Sequence, residues 1–161
     1  MRQLFMKRKV SNPSETFTVT NRNEKDVYGV SVNSVENSQL ITIHKSENQQ
    51  VAMVTKEQSN DGSTFIVEVD NKKVFIIEKG LVQGTSKYIA TSDELTIDGD
   101  LFGMSFNVML GYRKVAKVRK RWTSIGDSYE ITIFEDDNEA SLVGLVTTLD
   151  YIKSNEQLEI A

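Results

Sequence analysis

The chain has 161 residues, 39% apolar and 26% charged, with no cysteine and a formal net charge of −4. That is the size and make-up of one globular domain with its own core, so residues 1–161 are expected to form a single unit. The lack of cysteine excludes disulfides, thiolate nucleophiles, Fe–S clusters and Cys-type zinc sites, and the acidic balance argues against nonspecific nucleic-acid binding, which needs an excess of phosphate-facing Lys and Arg.

The first ten residues, Met1 to Val10, break their apolar positions with charges every few residues. They lack the apolar run of a signal peptide, and the chain is expected in the cytoplasm, at most peripheral to a membrane. From there to about residue 133, short alternating segments are separated by turns rich in Asn, Asp, Gly and Lys, the pattern of antiparallel hairpins. Strands are predicted at 4–9, 16–21, 27–33, 39–45, 51–57, 64–69, 74–79, 87–91, 95–98, 105–110, 115–123 and 128–133. The single proline, Pro13, lies in the turn Ser11 to Ser14, and no Pro-rich linker divides the chain.

A weak repeat runs through these hairpins: Val27 to Val30, Val51 to Val54, Val74 to Ile77 and Val115 to Val118 each follow a polar turn. Positions two apart share a face of a strand, so Tyr28 with Val30, Ala52 with Val54, Phe75 with Ile77 and Ala116 with Val118 should point to one core. The change of pattern comes at Ala140 to Ile152, an apolar run with helical spacing that leaves only Ser141, Gly144 and Thr148 as a narrow polar sector. A helix over about 138–153, followed by a polar tail at 154–161, is predicted. The apolar run, roughly 20 Å long, is too short for a bilayer and too apolar for a surface, so a wrapped sheet should surround it. Asp136, Asp137 and Asn138 just before it are expected to cap its first turn.

Three stretches together resemble the LURP-one-related family: Leu95 to Val108, with Gly99-Asp100-Leu101-Phe102-Gly103; Ala116 to Ile131, with Lys120-Arg121-Trp122 and Gly126-Asp127-Ser128-Tyr129; and Ala140 to Asp150. The opening Met1 to Lys9 is similar as well. Leu101 and Ile125 stand where many relatives have aromatics. The family's domain is similar to the C-terminal domain of tubby proteins and to phospholipid scramblases. The resemblance implies a closed antiparallel barrel of about twelve strands around one central apolar helix. It brings no shared enzymatic activity. Tubby-like relatives bind phosphoinositide head groups and scramblase-like relatives act on membrane phospholipid, which makes a non-catalytic module for anionic phospholipid, or another phosphorylated ligand, the leading expectation. A protein-interaction scaffold using the edges or ends of the barrel is the alternative, and an enzyme or scramblase the least favoured.

The residues best placed for such a ligand are Lys117, Arg119 and Arg121, which alternate along one predicted strand while Ala116, Val118 and Trp122 face in. Arg113 and Lys114 extend this ribbon, whose charges stand about 6–7 Å apart. A basic ribbon on an outer strand can meet lipid phosphates, or serve only as a solvated face matched by neighbouring acids. Catalytic residues, a cofactor and a metal are not expected. Glu135, Asp136, Asp137 and Glu139 occupy the place where scramblase-like relatives have a proposed calcium segment, but they lack the oxygen spacing of a calcium loop, and helix capping is the simpler role. Asp98, Gly99 and Asp100 read as a turn. His44, the one histidine, should face solvent with Thr42, and no Gly-x-Ser-x-Gly elbow or phosphate-cradling Gly loop accompanies it. Asp150 falls on the apolar side of the helix, where it needs the barrel mouth or a partner such as Lys120 or a Tyr.

Overall fold

The computed structural model describes residues 1–8, 15–33, 39–45, 49–59, 62–123 and 126–155. Among them, the alternating segments form β1 (Arg2–Arg8), β2 (Glu15–Thr20), β3 (Asp26–Val32), β4 (Gln39–His44), β5 (Gln50–Ser59) and β6 (Gly62–Val69). These are followed by β7 (Lys72–Val82), β8 (Thr85–Thr91), β9 (Leu95–Asp100), β10 (Ser105–Leu110), β11 (Arg113–Thr123) and β12 (Gly126–Ile133). A 3-10 turn, Asp136–Asn138, then leads into α1 (Glu139–Asn155). All twelve predicted strands are present, most of them longer by a residue or more at one or both ends.

The strands make one antiparallel sheet in the order β8-β7-β6-β5-β4-β3-β2-β1-β12-β11-β10-β9. It consists of two up-and-down meanders, β1 to β8 and β9 to β12, stitched together where β1 pairs with β12 and Leu4 faces Ile131. The sheet curls around α1 into a barrel that closes except between β8 and β9, which share no ladder among the described residues. The predicted inward pairs are all buried: Tyr28 and Val30, Ala52 and Val54, Phe75 and Ile77, Ala116 and Val118. With Phe17, Phe65, Tyr129, Ile131 and Ile133 they line the bore.

Helix α1 fills that bore. Every residue from Ser141 to Asp150 is buried, the narrow polar sector included. The hydroxyls of Thr147 and Thr148 donate to the carbonyls of Val143 and Gly144 one turn back, both at 2.7 Å, which satisfies them without water. At Gly144 the helix packs tightly against the wall. A Cβ there would lie 2.7 Å from a methyl of Val67 on β6 and 3.4 Å from one of Ile43 on β4, so the missing side chain sets the approach.

Two charged clusters hold the helix lengthwise, and β1 supplies an arginine to each. Arg2, Leu4, Met6 and Arg8 share the inward face of that strand, with Leu4 and Met6 fully buried. Near the C-terminal end of α1, the Arg8 guanidinium donates to both oxygens of Asp150 at 2.9 and 3.0 Å, and the Tyr129 hydroxyl donates to Oδ1 at 2.5 Å. The tyrosine partner expected for Asp150 is therefore Tyr129, with Arg8 beside it. At the other end, Tyr28 donates to Glu139 at 2.8 Å and Arg2 lies 3.5 Å from the same carboxylate. Burial raises the pKa of the Tyr28 hydroxyl, and the bond to the Glu139 carboxylate and its charge push the same way.

Asp136 to Asn138, just before the helix as read from the sequence, form a 3-10 turn that leads into α1. One local expectation changes. The Asp98-Gly99-Asp100 trio is the end of β9 rather than a turn. Gly99 has φ +128°, and a Cβ there would sit 2.8 Å from the Ser105 carbonyl oxygen and 2.9 Å from the Phe106 Cα. Only glycine lets β9 stay this close to β10. The turn follows at residues 101–104, held by Asp100, whose carboxylate accepts the Gly103 amide at 2.9 Å.

Candidate ligand-binding surface on β11

Strand β11 lies between β10 and β12, and its ladder register fixes what surrounds each basic residue. Lys117 stands between Asn107 and Thr132, and Arg119 between Ser105 and Glu130. Directly opposed residues point to the same face, and Ala116 and Val118 are buried, so Lys117, Arg119 and Arg121 occupy the outer wall as predicted. The side chain of Trp122, expected to face in, lies outside the described residues.

A bulge alters the foot of this column. Val108 faces Ala116 but Met109 faces Lys114, leaving Val115 as the extra residue, and Val115 and Ala116 are both buried. The bulge keeps Lys114 on the outer face with Met109 and puts Arg113, opposite Leu110, on the other face at the rim. There Arg113 donates through Nε and Nη2 to the two oxygens of Glu135, each at 3.1 Å.

Arg121 is engaged too. Its Nε lies 2.7 Å from Glu130, whose side chain is only 8% exposed, and its guanidinium lies 5.9 Å from the centre of the Phe5 ring. Glu130 also accepts a bond from the Gln3 amide at 2.9 Å, so the carboxylate opposite Arg119 is already held by two other groups. Lys114, Lys117 and Arg119 make no ion pair among the described residues. The predicted ribbon of five thus becomes a column of three cations, with the amide of Asn107 and the hydroxyls of Ser105 and Thr132 alongside.

Acids border the column on both sides. Glu130 lies one strand away, and Asp98 and Asp100 on β9 align with Asn107 and Ser105, two strands away. At about 4.8 Å per strand the clear width is roughly 10 Å. Below the column, the β10–β11 hairpin tip carries Tyr112, fully exposed to solvent. Reading the sequence for charge alone missed this residue, although Leu110-Gly111-Tyr112 between two alternating runs marks a turn that must leave its aromatic outside. The nearby Phe134 is also exposed, and its amide donates to the Val115 carbonyl at 2.9 Å.

A LURP-one-related family model matches residues 2–150. The chain belongs to the LURP-one-related family. A curated relative, the uncharacterized protein YxjI of Bacillus subtilis (strain 168), is 22% identical over 159 residues, which cover 99% of this chain and 98% of the relative. An X-ray structure of an Arabidopsis thaliana protein matches the fold with a TM-score of 0.57 at 12% identity, covering 94% of this LURP-one-related chain and 91% of the plant one.

The other sequence candidates are dispersed. Glu135 and Glu139 face different partners, Arg113 for the first and Tyr28 with Arg2 for the second, so these two carboxylates do not converge. Among the described residues no three His, Asp or Glu side chains gather as a metal site. His44 is half-buried on the outer face, 3.4 Å from the Ser31 hydroxyl. Among the described residues no helix is long and apolar enough to cross a membrane.

Proposed function

We propose that this LURP-one-related protein is a non-catalytic module that binds the head group of an anionic phospholipid on the outer face of β11, peripheral to the membrane. The observation that carries this reading is the column Lys114, Lys117 and Arg119, three outward cations without an ion pair among the described residues, ending at the exposed ring of Tyr112. Each basic residue near an anionic bilayer contributes about 1 kcal/mol, and a tyrosine ring favours the interfacial zone just below the head groups. The acidic borders limit the footprint. A broad anionic surface would also meet Asp98, Asp100 and Glu130, whereas one phosphoryl group fits within the strip of roughly 10 Å.

Sedimentation with vesicles tests this. Vesicles of phosphatidylcholine containing phosphatidic acid should retain the protein, neutral phosphatidylcholine vesicles should not, and added salt should weaken retention. Neutralising two of the three cations with Lys117→Gln and Arg119→Gln removes roughly 2 kcal/mol, about a thirtyfold loss of partitioning. The corresponding change at the engaged Arg113 should matter far less. Equal retention of the parent and the double variant would overturn the assignment.

A further inference from the structure

Strands β8 and β9 are sequence neighbours joined only by residues 92–94, the arrangement in which a hairpin ladder is expected, yet among the described residues they are the two unpaired edges of the sheet. A cavity of about 330 Å³ lies along this seam, lined from one side by Tyr88 and Ala90 and from the other by Leu95, Ile97 and Leu101. Both of its ends are fixed. The Tyr88 and Phe102 rings meet edge-on at 6.2 Å across one end, and the Leu95 amide donates to the Ser92 hydroxyl at 3.4 Å at the other. Ile89 also lines the cavity, and its side chain reaches over β7, where it fills the space that a Cβ on Gly80 would need.

An unpaired edge directs the N–H and C=O of alternate residues outward. Here two such edges face one apolar trough, so an extended backbone laid between them could bond on both sides and complete the ring. On the outer side of the seam Lys87 of β8 is exposed, while Asp98 and Asp100 of β9, Glu94 just before that strand and Glu78 of β7, opposite Ile89, are exposed acids. Such carboxylates repel the same edge of a second copy, but they favour a strand whose outward residues are basic.

We propose that the β8–β9 seam is a docking site for an extended segment of a partner protein, with apolar side chains directed into the trough and basic ones outward. The segment adds as a strand between the two edges, and the span from Tyr88 to Thr91 accommodates four or five of its residues, at about 3.3 Å each. Recognition is chiefly by backbone, so alternation and charge matter more than the particular residues. This site is separate from the cationic column on β11 and stands or falls independently of it.

The probe is an acetylated, amidated heptapeptide of alternating lysine and valine, titrated into the full chain and followed by NMR and amide hydrogen exchange. Amides of β8 and β9 should gain protection while those of central strands such as β4 and β5 do not change. A glutamate–valine peptide should bind at least tenfold more weakly, and the pair Glu94→Lys with Asp98→Lys should reverse that preference. N-methylation of alternate peptide nitrogens should abolish binding on either variant. Absence of edge protection with both peptides would overturn the proposal, as would equally tight binding of the N-methylated peptide. The charge-reversed pair is exposed and leaves Asp100 and its turn intact, and reversed selectivity is a readout that loss of folding cannot produce.

Discussion

At its N-terminal end α1 is held by Glu139, Tyr28 and Arg2; at its C-terminal end by Asp150, Tyr129 and Arg8. The chemistry is the same, but the settings differ. Glu139 sits in the first helical turn, where the dipole favours a carboxylate, and its arginine is nearly half exposed at 3.5 Å. Asp150 sits in the last turns, where the dipole opposes a negative charge, and its side chain is only 7% exposed. Arg8 compensates with both oxygens in reach and lies 4.8 Å from the centre of the Phe17 ring. A charge in the unfavourable position therefore has the closer set of partners, and that end should carry more of the helix's fixation.

The largest expected effect follows from removing that charge. Asp150→Asn leaves Arg8 without its counter-ion and should destabilise the fold by about 3 kcal/mol in urea unfolding, the lower range for a broken buried pair because Arg8 is partly solvated. Glu139→Gln should lose about 1 kcal/mol or less, since a neutral acceptor still takes the Tyr28 bond and the ion pair with Arg2 is weak. A double-mutant cycle on Arg8 and Asp150 should give the larger coupling; equal couplings at the two ends would break the comparison. The smallest effect concerns pH. The folded Tyr28 has a raised pKa, so its contribution to stability is fully present below the unfolded value of about 10 and is lost as pH rises from there through the folded value. Tyr28→Phe should flatten the decline in stability measured above pH 10.

Much of the architecture was legible because alternation is a local signal. Tyr28, Val30, Phe75 and Ile77 declare an inward face without knowledge of their neighbours, and the run from Ala140 to Ile152 declares that something must surround it. The two helix clusters are half visible: Asp150, on the apolar side of a helix, needs a partner, whereas Arg2-x-Leu4-x-Met6-x-Arg8 has the inward parity but nothing local marks its arginines as partners of the helix. The candidate site divides in the same way. Lys117 and Arg119 follow from strand parity, but the turning of Arg113 depends on a one-residue bulge opposite Met109, and the capture of Arg121 on Glu130, some two residues off direct register on the next strand. Register between strands is a property of pairs of segments, and no single segment encodes it. The seam is the extreme case, since the adjacent segments β8 and β9 read as a hairpin.

The stitch between β1 and β12 has a consequence for the order of assembly. Every other ladder joins strands that follow one another along the chain, so both meanders can begin from nearby hairpins. The stitch and the two helix clusters instead unite residues more than a hundred positions apart, such as Gln3 with Glu130 and Arg8 with Asp150. Closing such a loop is entropically late and slow. The first strand must therefore wait for the last one, and until they meet, the apolar helix has no finished chamber to enter.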